Sequence, residues 1–409
     1  MEETVTEFAR RTLSNGLRIL VEHRPTALSV GVGFFVRTGA RDEVPQIAGV
    51  SHFLEHMAFK TTKKRDALAV SRELDRMGAR ANAYTSWERT VFYAQVLPEF
   101  ARDAVALLGE MIDPAFLEED FSVEKKVILE EIEMYNDRPE FMLFETMLEK
   151  RYGSHPLGIR ILGTRESIGP LSVEQMREYH AARYRCGNVV LAVAGAARIE
   201  EVAEWASEIT LPEGGVARPT PSVPPPEERF FEIERPEDKT CHFVRAFPGP
   251  PSSNIKERFL AQIVSILFGD SEGSRLFWAL VFPGIVETLD VGTLSFTEDG
   301  IFYIGFSALP ENVQKSVEIL GNEWRKLAEE GFSKEEWDRA KTKFSTRTIL
   351  GSESILGRMG SIGGDELEGL PYHSLAEELA IIDSLTMEEA REFIRRTNTP
   401  LIEGRIGPK

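Results

Sequence analysis

The pattern of apolar and polar positions in the first half of the chain predicts short strands followed by longer helices. Residues 17–22 and 29–37 are predicted to be strands joined by a turn that contains proline, and the two-residue alternation typical of a strand occurs in residues 90–96. Helical spacing of apolar positions occurs in residues 49–60, 67–77, 99–111 and 118–137. Antiparallel hairpins followed by grouped helices favour an α+β fold over a doubly wound parallel sheet.

The second half of the chain repeats this order and some of its residues. Residues 171–179 (LSVEQMREY) and 385–393 (LTMEEAREF) both open with a capping box, and both lead into a short apolar segment that ends in glycine. Further strands are predicted at residues 230–234, 241–247 and 301–308. An internal duplication explains these matches, so we expect two homologous domains, each a largely antiparallel sheet packed with helices.

A proline-rich segment separates the two halves. Residues 211–228 contain six prolines and the adjacent glycines Gly214 and Gly215, a composition that cannot support a helix or a paired strand. We therefore expect a domain at residues 1–210, a linker at 211–228 and a second domain at 229–409.

Composition limits the partners and the cellular compartment. The 409 residues include 66 acidic and 48 basic ones, and the net charge of -18 disfavours nucleic acid and anionic membranes as partners. Two cysteines, Cys186 and Cys241, are too few for a disulfide framework. Residues 1–11 lack the apolar stretch of a secretory signal, and no apolar run is long enough to span a membrane. We expect a cytoplasmic location.

The segment His52-Phe53-Leu54-Glu55-His56 carries the clearest chemical signal. Histidines four residues apart lie on one face of a helix, where both imidazoles can bind one metal ion. Glu55 lies close enough to activate a water molecule at that ion. The order H-x-x-E-H is the reverse of the common zincin motif and predicts a zinc hydrolase.

The duplication indicates that only the first half holds metal. The positions of the second half that correspond to His52, Glu55 and His56 are apolar, and they are occupied by Ile263, Ile266 and Leu267. A chance occurrence of the motif on a buried helix is therefore the weaker interpretation.

A catalytic zinc ion usually has three protein ligands and one open position. The predicted helix at 118–137 has a stripe at helical spacing that should face the core, made up of Phe121, Glu124, Ile128, Glu131 and Tyr135. Buried carboxylates need a partner, so we choose Glu131 as the third ligand and Glu124 as a neighbouring group that supports the site. By spacing alone, Glu130 and Glu133 remain alternatives to Glu131.

These motifs resemble those of the M16 (pitrilysin-like) metallopeptidases. The resemblance rests on residues 49–60 (GVSHFLEHMAFK), on Glu131 at seventy-five residues after His56, on residues 81–86 (ANAYTS) and on residues 155–158 (HPLG). The chain is most similar to the short, two-domain members related to the mitochondrial processing peptidase.

The resemblance implies a function and a role for each site residue. His52, His56 and Glu131 would bind one zinc ion per chain, Glu55 would activate water, and Glu124 would orient the site. A peptide substrate would lie as an added β-strand beside Asn82, Ala83, Tyr84 and Thr85. The implied protein is an inverzincin, a zinc-dependent endopeptidase. It would cleave short extended peptides or presequence-like segments in an enclosed chamber. This chain would form one half of that clam-shell chamber.

The second half departs from the family pattern at one place. Active members usually have an Arg and a Tyr that reach the substrate, and here Val281 and Glu287, or near neighbours, occupy those positions. A homodimer, or a heterodimer with an M16-like chain that supplies the pair, is therefore implied. The alternative function is a metal-bearing or scaffold subunit of a heteromeric complex, inactive without its partner. The glycine-bearing segments 269–273 and 360–364 are interpreted as turns rather than as loops that guide substrate.

Overall fold

The computed structural model describes residues 6–408, and this range contains eleven strands and fourteen α-helices. The strands are β1 (Glu7–Thr12), β2 (Arg18–His23), β3 (Val30–Val36), β4 (Arg80–Thr85), β5 (Thr90–Val96), β6 (Val189–Gly195), β7 (Phe230–Glu234), β8 (Cys241–Pro248), β9 (Thr288–Ser295), β10 (Gly300–Ala308) and β11 (Ile402–Gly407). The helices are α1 (Val50–Met57), α2 (Ala67–Arg76), α3 (Ala101–Met111), α4 (Glu118–Asn136), α5 (Pro139–Tyr152), α6 (Arg165–Ile168), α7 (Val173–Arg183), α8 (Ile199–Ala206), α9 (Ile255–Gly269), α10 (Pro310–Glu329), α11 (Lys334–Glu353), α12 (Ile355–Glu368), α13 (Leu375–Ser384) and α14 (Met387–Arg396). Residues 1–5 and 409 lie outside the described residues. The predicted domains include them, and the N-terminal segment considered above includes residues 1–5.

The α+β fold class is confirmed, because the described residues form helices and two largely antiparallel sheets. The two sheets have similar strand topology. The six-stranded sheet has the order β1-β2-β6-β3-β5-β4, and the five-stranded sheet has the order β7-β11-β8-β10-β9. From β2 onward the two orders correspond strand for strand, and each sheet contains one parallel pair, β2–β6 in the first and β7–β11 in the second. The predicted strands include β2, β3, β5, β7, β8 and β10, whereas β1 and β9 were not predicted.

The chain forms two compact units, and neither unit is a continuous stretch of sequence. The first unit comprises the chain up to Met134 together with Ile159–Pro219 and Gly351–Tyr372. The second unit comprises Tyr135–Gly158, Thr220–Leu350 and the chain from His373 onward. Helix α5 of the first half thus belongs to the second unit, and helix α12 of the second half belongs to the first. The predicted domain limits, which assume continuous segments, stay a prediction.

Helix α12 covers part of one face of the six-stranded sheet. It packs on β2, β3 and β6, and buried Met359 and Ile362 join Phe35 and Val190 in an apolar cluster. The interpretation of residues 360–364 as a turn was wrong, because these residues lie within the helix. Glycine allows the close approach: a Cβ atom at Gly363 would lie 2.3 Å from the ring of Phe35.

A buried ion pair fixes α12 to the sheet. The Arg358 guanidinium donates hydrogen bonds to both carboxylate oxygens of Glu22, and the two side chains are 3% and 1% exposed. The Tyr372 hydroxyl and Arg24 also contact Glu22. Because a buried carboxylate needs compensation, the position of α12 is set by charge as well as by apolar packing.

No helix in the described part of the chain combines the length and the apolar character that crossing a membrane would require.

We expect Arg358→Met to lower the free energy of unfolding by about 3 kcal/mol, because it leaves Glu22 buried without its main cationic partner. The double variant Glu22→Gln/Arg358→Met should recover much of this loss. Urea unfolding of each variant measures the effect. The control is Arg10→Met, which removes an exposed partner of Glu366 and should change stability by less than about 1 kcal/mol. Equal unfolding midpoints for Arg358→Met and Arg10→Met would contradict the assigned role of the pair.

Candidate metal centre

Helix α1 begins at a glycine and is capped by a distant carboxylate. Gly49 has φ of +91°, and a Cβ atom there would lie 2.4 Å from the carbonyl oxygen of Leu162, so no other residue fits without displacement. The Glu43 carboxylate accepts hydrogen bonds from the backbone N–H groups of Gly49, at 2.6 Å, and Ser51, at 2.7 Å. Burial raises the pKa of Glu43, and these hydrogen bonds oppose the rise. The start of α1 is therefore fixed from outside the helix.

The two histidines of the motif project from one face of α1 toward α4. Their ring centroids are 4.8 Å apart. Glu131 of α4 places Oε2 at 3.8 Å from Nε2 of His52 and at 3.5 Å from Nε2 of His56. One potential ligand atom from each of the three residues lies within 4.8 Å of the other two, and these three could hold a metal ion. Glu130 and Glu133, the alternatives to Glu131, are exposed, and Glu133 pairs with Arg165.

The spacing and chemistry of this group suit zinc. Ligand atoms held tetrahedrally at bonds of about 2.1 Å lie about 3.4 Å apart, close to the separations of Glu131 from the two imidazoles. Burial, with a smaller contribution from His56, lowers the pKa of His52 to about 3, so its imidazole stays in the neutral form that binds metals. Burial raises the pKa of Glu131, and a cation between the three side chains would favour its ionised form.

Glu124 lies beside the group and contacts His56. Nδ1 of His56 donates to Oε2 of Glu124 at 3.2 Å, and Lys60 lies 2.5 Å from the other carboxylate oxygen. The bond at Nδ1 leaves the lone pair of Nε2 directed at Glu131, which is the tautomer that metal binding requires. Glu124 thus contacts one of the two histidines, and Lys60 compensates its buried charge. Its orienting role stays a prediction.

Glu55 is held by the edge strand of the sheet. The Thr85 hydroxyl donates to Oε2 of Glu55 at 2.6 Å. Burial raises the pKa of Glu55, while the Thr85 hydrogen bond and His56 lower it. The carboxylate is therefore separate from the three potential ligands but lies on the same side of α1.

The residues predicted to bind substrate lie on β4, at one end of the six-stranded sheet. Within the described residues, β4 pairs only with β5, so its other edge is free. Asn82, Ala83, Tyr84 and Thr85 all belong to this strand, and Thr85 places it next to Glu55.

The second unit has no such group at the corresponding place. Helix α9 lies between β8 and β9 as α1 lies between β3 and β4, and Ile263, Ile266 and Leu267 of α9 are buried in an apolar core. Among residues 6–408, the cluster of His52, His56 and Glu131 is the one that brings potential metal ligands together in this way.

The supporting contacts of Glu43, Lys60 and Thr85 were not predicted from the sequence, although Thr85 was named there as a substrate-binding residue and Lys60 lies in the motif at 49–60. Glu43 accepts hydrogen bonds at the start of α1, Lys60 contacts Glu124, and Thr85 contacts Glu55. No periodic pattern in the sequence marks these contacts. Only Gly49, directly before the helix, offered a local signal that α1 has an unusual start.

Two family models match successive parts of the chain, and both describe peptidase family M16. A family model described as Insulinase (Peptidase family M16) matches residues 18–165, and one described as Peptidase M16 inactive domain matches residues 170–344. An uncharacterized zinc protease of Bacillus subtilis, YmxG, is 30% identical over 396 residues, which cover 95% of each chain. The chain belongs to peptidase family M16.

Solved structures agree with this M16 fold. A protease from Helicobacter pylori superposes with a TM-score of 0.90 at 20% identity and covers 98% of this chain and 99% of its own. A chain from Pseudomonas fluorescens described as a peptidase M16 inactive domain gives a TM-score of 0.90 at 19% identity, with 98% of both chains covered. At these identities the likeness concerns the fold alone.

We expect Glu43→Ala to lower the free energy of unfolding of the M16 chain by about 3 kcal/mol, because two backbone N–H groups at the start of α1 lose their acceptor. Zinc affinity should fall too, since the direction of both histidines depends on that start. Urea unfolding and competition with a zinc chelator measure the two effects, with Glu130→Ala on the exposed face of α4 as control. Unchanged zinc affinity in Glu43→Ala would show that the cap stabilises α1 without orienting the motif.

A second prediction concerns His180, which lies outside the site. Its Nε2–H donates to the carbonyl of Ile112 at 2.8 Å, and its ring stacks on Tyr184. Burial lowers the pKa of His180, and the Ile112 hydrogen bond opposes this. Because the unfolded chain then binds a proton more readily than the folded chain, stability should fall as the pH drops below about 6.5.

His180→Gln should reduce this loss, because glutamine does not titrate and can still donate to Ile112. Urea midpoints between pH 7.5 and 5 measure the slope, with the partly exposed His373→Gln as control. Equal slopes for the wild type and His180→Gln would rule out His180 as the titrating group.

Proposed function

We propose that the chain is a zinc-dependent endopeptidase that cleaves peptides bound in an extended conformation beside β4. The observation that supports this most directly is the convergence of His52, His56 and Glu131 with a fourth side chain, Glu55, that is not needed as a ligand. Two imidazoles and one carboxylate with an open position form the ligand set of zinc peptidases. We propose one zinc ion per chain.

Each residue of the site has a separate task in this proposal. When bound, zinc supplies Lewis acidity, which makes water more acidic and polarises a carbonyl group. Glu55 accepts the proton of the attacking water and delivers it to the leaving amine. Glu124 keeps His56 in one tautomer, and Thr85 holds the Glu55 carboxylate in place.

The edge of β4 supports the proposed mode of substrate binding. A strand with unpaired N–H and C=O groups can add a peptide through main-chain hydrogen bonds, which tolerate many sequences. Because Thr85 of this strand contacts Glu55, a peptide paired with Asn82–Thr85 would pass directly beside the site. Short extended peptides and presequence-like segments are the substrates we propose. The two cysteines are free and buried, which fits the cytoplasmic location included in this proposal.

A second candidate function is a subunit that needs a partner chain for activity. In this candidate, Val281 and Glu287, or near neighbours, replace the Arg and Tyr that active members carry. Val281 lies at the end of a π-helical turn and Glu287 just before β9. Nearby Arg275 is engaged by Glu336 and by the carbonyl of Gly331. A homodimer, or a heterodimer with an M16-like chain that supplies the pair and completes a chamber, is the assembly this candidate requires.

The test is cleavage of a quenched fluorescent peptide library by the purified chain, with zinc content measured in parallel. We expect about one zinc per chain, activity that a chelator abolishes and zinc restores, and a loss of about 100-fold or more in Glu55→Gln with zinc retained. Glu130→Gln, an exposed carboxylate on α4, is the matched control and should behave as wild type.

The outcomes separate the two candidates. Zinc bound without turnover in the wild type would favour the partner-dependent subunit, and sedimentation with a candidate M16-like chain would follow. A wild type that binds no zinc, or a Glu55→Gln variant with full activity, would overturn the proposed peptidase.

A further inference from the structure

The first unit contains a cavity on the face of its sheet opposite α1. The cavity has a volume of about 280 Å³. Its floor is formed by Phe35, Tyr84, Val91 and Tyr93 of β3, β4 and β5. Its wall is formed by α12, through Leu356, Gly357, Met359 and Gly360.

The cavity arises because α12 covers only part of the sheet. The helix packs on β2, β3 and β6, and leaves the surface of β5 and β4 open beside it. A Cβ atom built at Gly360 would meet nothing within 4 Å, so the helix itself leaves space there. The side chain of Tyr84 is 41% exposed, which places the face of an aromatic ring next to the free edge of β4.

The alternation of β4 connects this cavity with the candidate metal centre. Thr85 contacts Glu55, and Ala83 is buried in the core on the same side as α1. Tyr84, and Asn82 with it, points to the opposite side, where the cavity lies. Residues that pair across two strands point to the same face, so a peptide residue opposite Tyr84 or Asn82 would direct its side chain toward α12.

We propose that this cavity, called the α12 pocket, selects one apolar side chain of the peptide bound to β4. The selected residue is aliphatic or aromatic, and it points away from the candidate metal centre. The inference rests on the proposed binding of peptides to β4 and adds a substrate preference to it. The volume of the α12 pocket is close to the lower limit of small-molecule pockets, which usually have about 300–1,000 Å³, and it suits a single side chain.

The chemistry of the lining favours an apolar side chain. The eight lining residues include no charged side chain, so a lysine or glutamate of the peptide would lose its hydration without gaining a counter-ion. Burial of a leucine or phenylalanine side chain, in contrast, favours binding enough to change affinity by about 10-fold or more.

The test substitutes Gly360, where the structure has room for a side chain that would fill the pocket. A peptide cleaved by the wild type is made with Ala, Leu, Phe or Lys at each position in turn. We expect Leu and Phe to raise kcat/KM by about 10-fold over Ala at positions of one parity only, and Lys to lower it. Gly360→Leu should abolish this preference. The matched control is Gly351→Leu, the same substitution at a glycine with open space outside the pocket, which should keep it.

A binding measurement separates this proposal from the proposed function. Fluorescence anisotropy of the same peptides is measured with zinc-loaded Glu55→Gln and with Glu55→Gln/Gly360→Leu. An apolar preference in binding that Gly360→Leu removes supports the α12 pocket even if the wild type proves inactive. A preference at adjacent positions, a preference that survives Gly360→Leu, or no peptide binding would overturn it. Turnover without such a preference would overturn the pocket and leave the peptidase proposal standing.

Discussion

The hydrogen bonds from Gly49 and Ser51 to Glu43 determine where α1 begins, and the arrangement of the whole site depends on that point. An α-helix turns by about 100° per residue. A start shifted by one residue would therefore rotate the later side chains by that angle and direct His52 and His56 away from α4. The stacked rings of Phe53 and Phe121 then hold α4 against α1, with centroids 4.7 Å apart. Glu131 reaches both imidazoles because these two contacts fix both the rotation of one helix and the position of the other.

The first unit places charged and polar groups where its duplicate places apolar ones. In α9 the corresponding positions add isoleucine and leucine to the core, which stabilises the fold directly. In α1 one of these positions is His52, whose imidazole stays neutral because burial lowers its pKa. The carboxylate of Glu55 needs the Thr85 hydroxyl, and the nearby carboxylate of Glu124 on α4 needs Lys60. Such an arrangement lowers stability and persists where the side chains serve chemistry.

Features that follow from a local repeat in the sequence could be predicted. Features that depend on contacts between distant segments of the chain could not. His52 and His56 follow from helical spacing, and Glu131 from the stripe on α4, although only the structure separates it from the exposed Glu130. The strands β2, β3 and β5 were predicted, while β9 was missed because its residues mix threonine, aspartate and glycine with apolar positions. Glu43 and the place of α12 could not be predicted, because a single carboxylate or a glycine-containing helix carries no sign of its distant partner.

The interleaved order of the two units has a consequence for how the protein is made. All six strands of the first sheet have been synthesised once Gly195 is added, but α12, which covers part of one face of that sheet, begins only at Ile355. At ribosomal rates of about 5–20 residues per second, this delay of about 160 residues lasts on the order of 10–30 s. During that time Phe35 and Val190 lack the apolar side chains of α12, and the carboxylate of Glu22 lacks Arg358, so the nascent first half exposes groups that the finished fold buries.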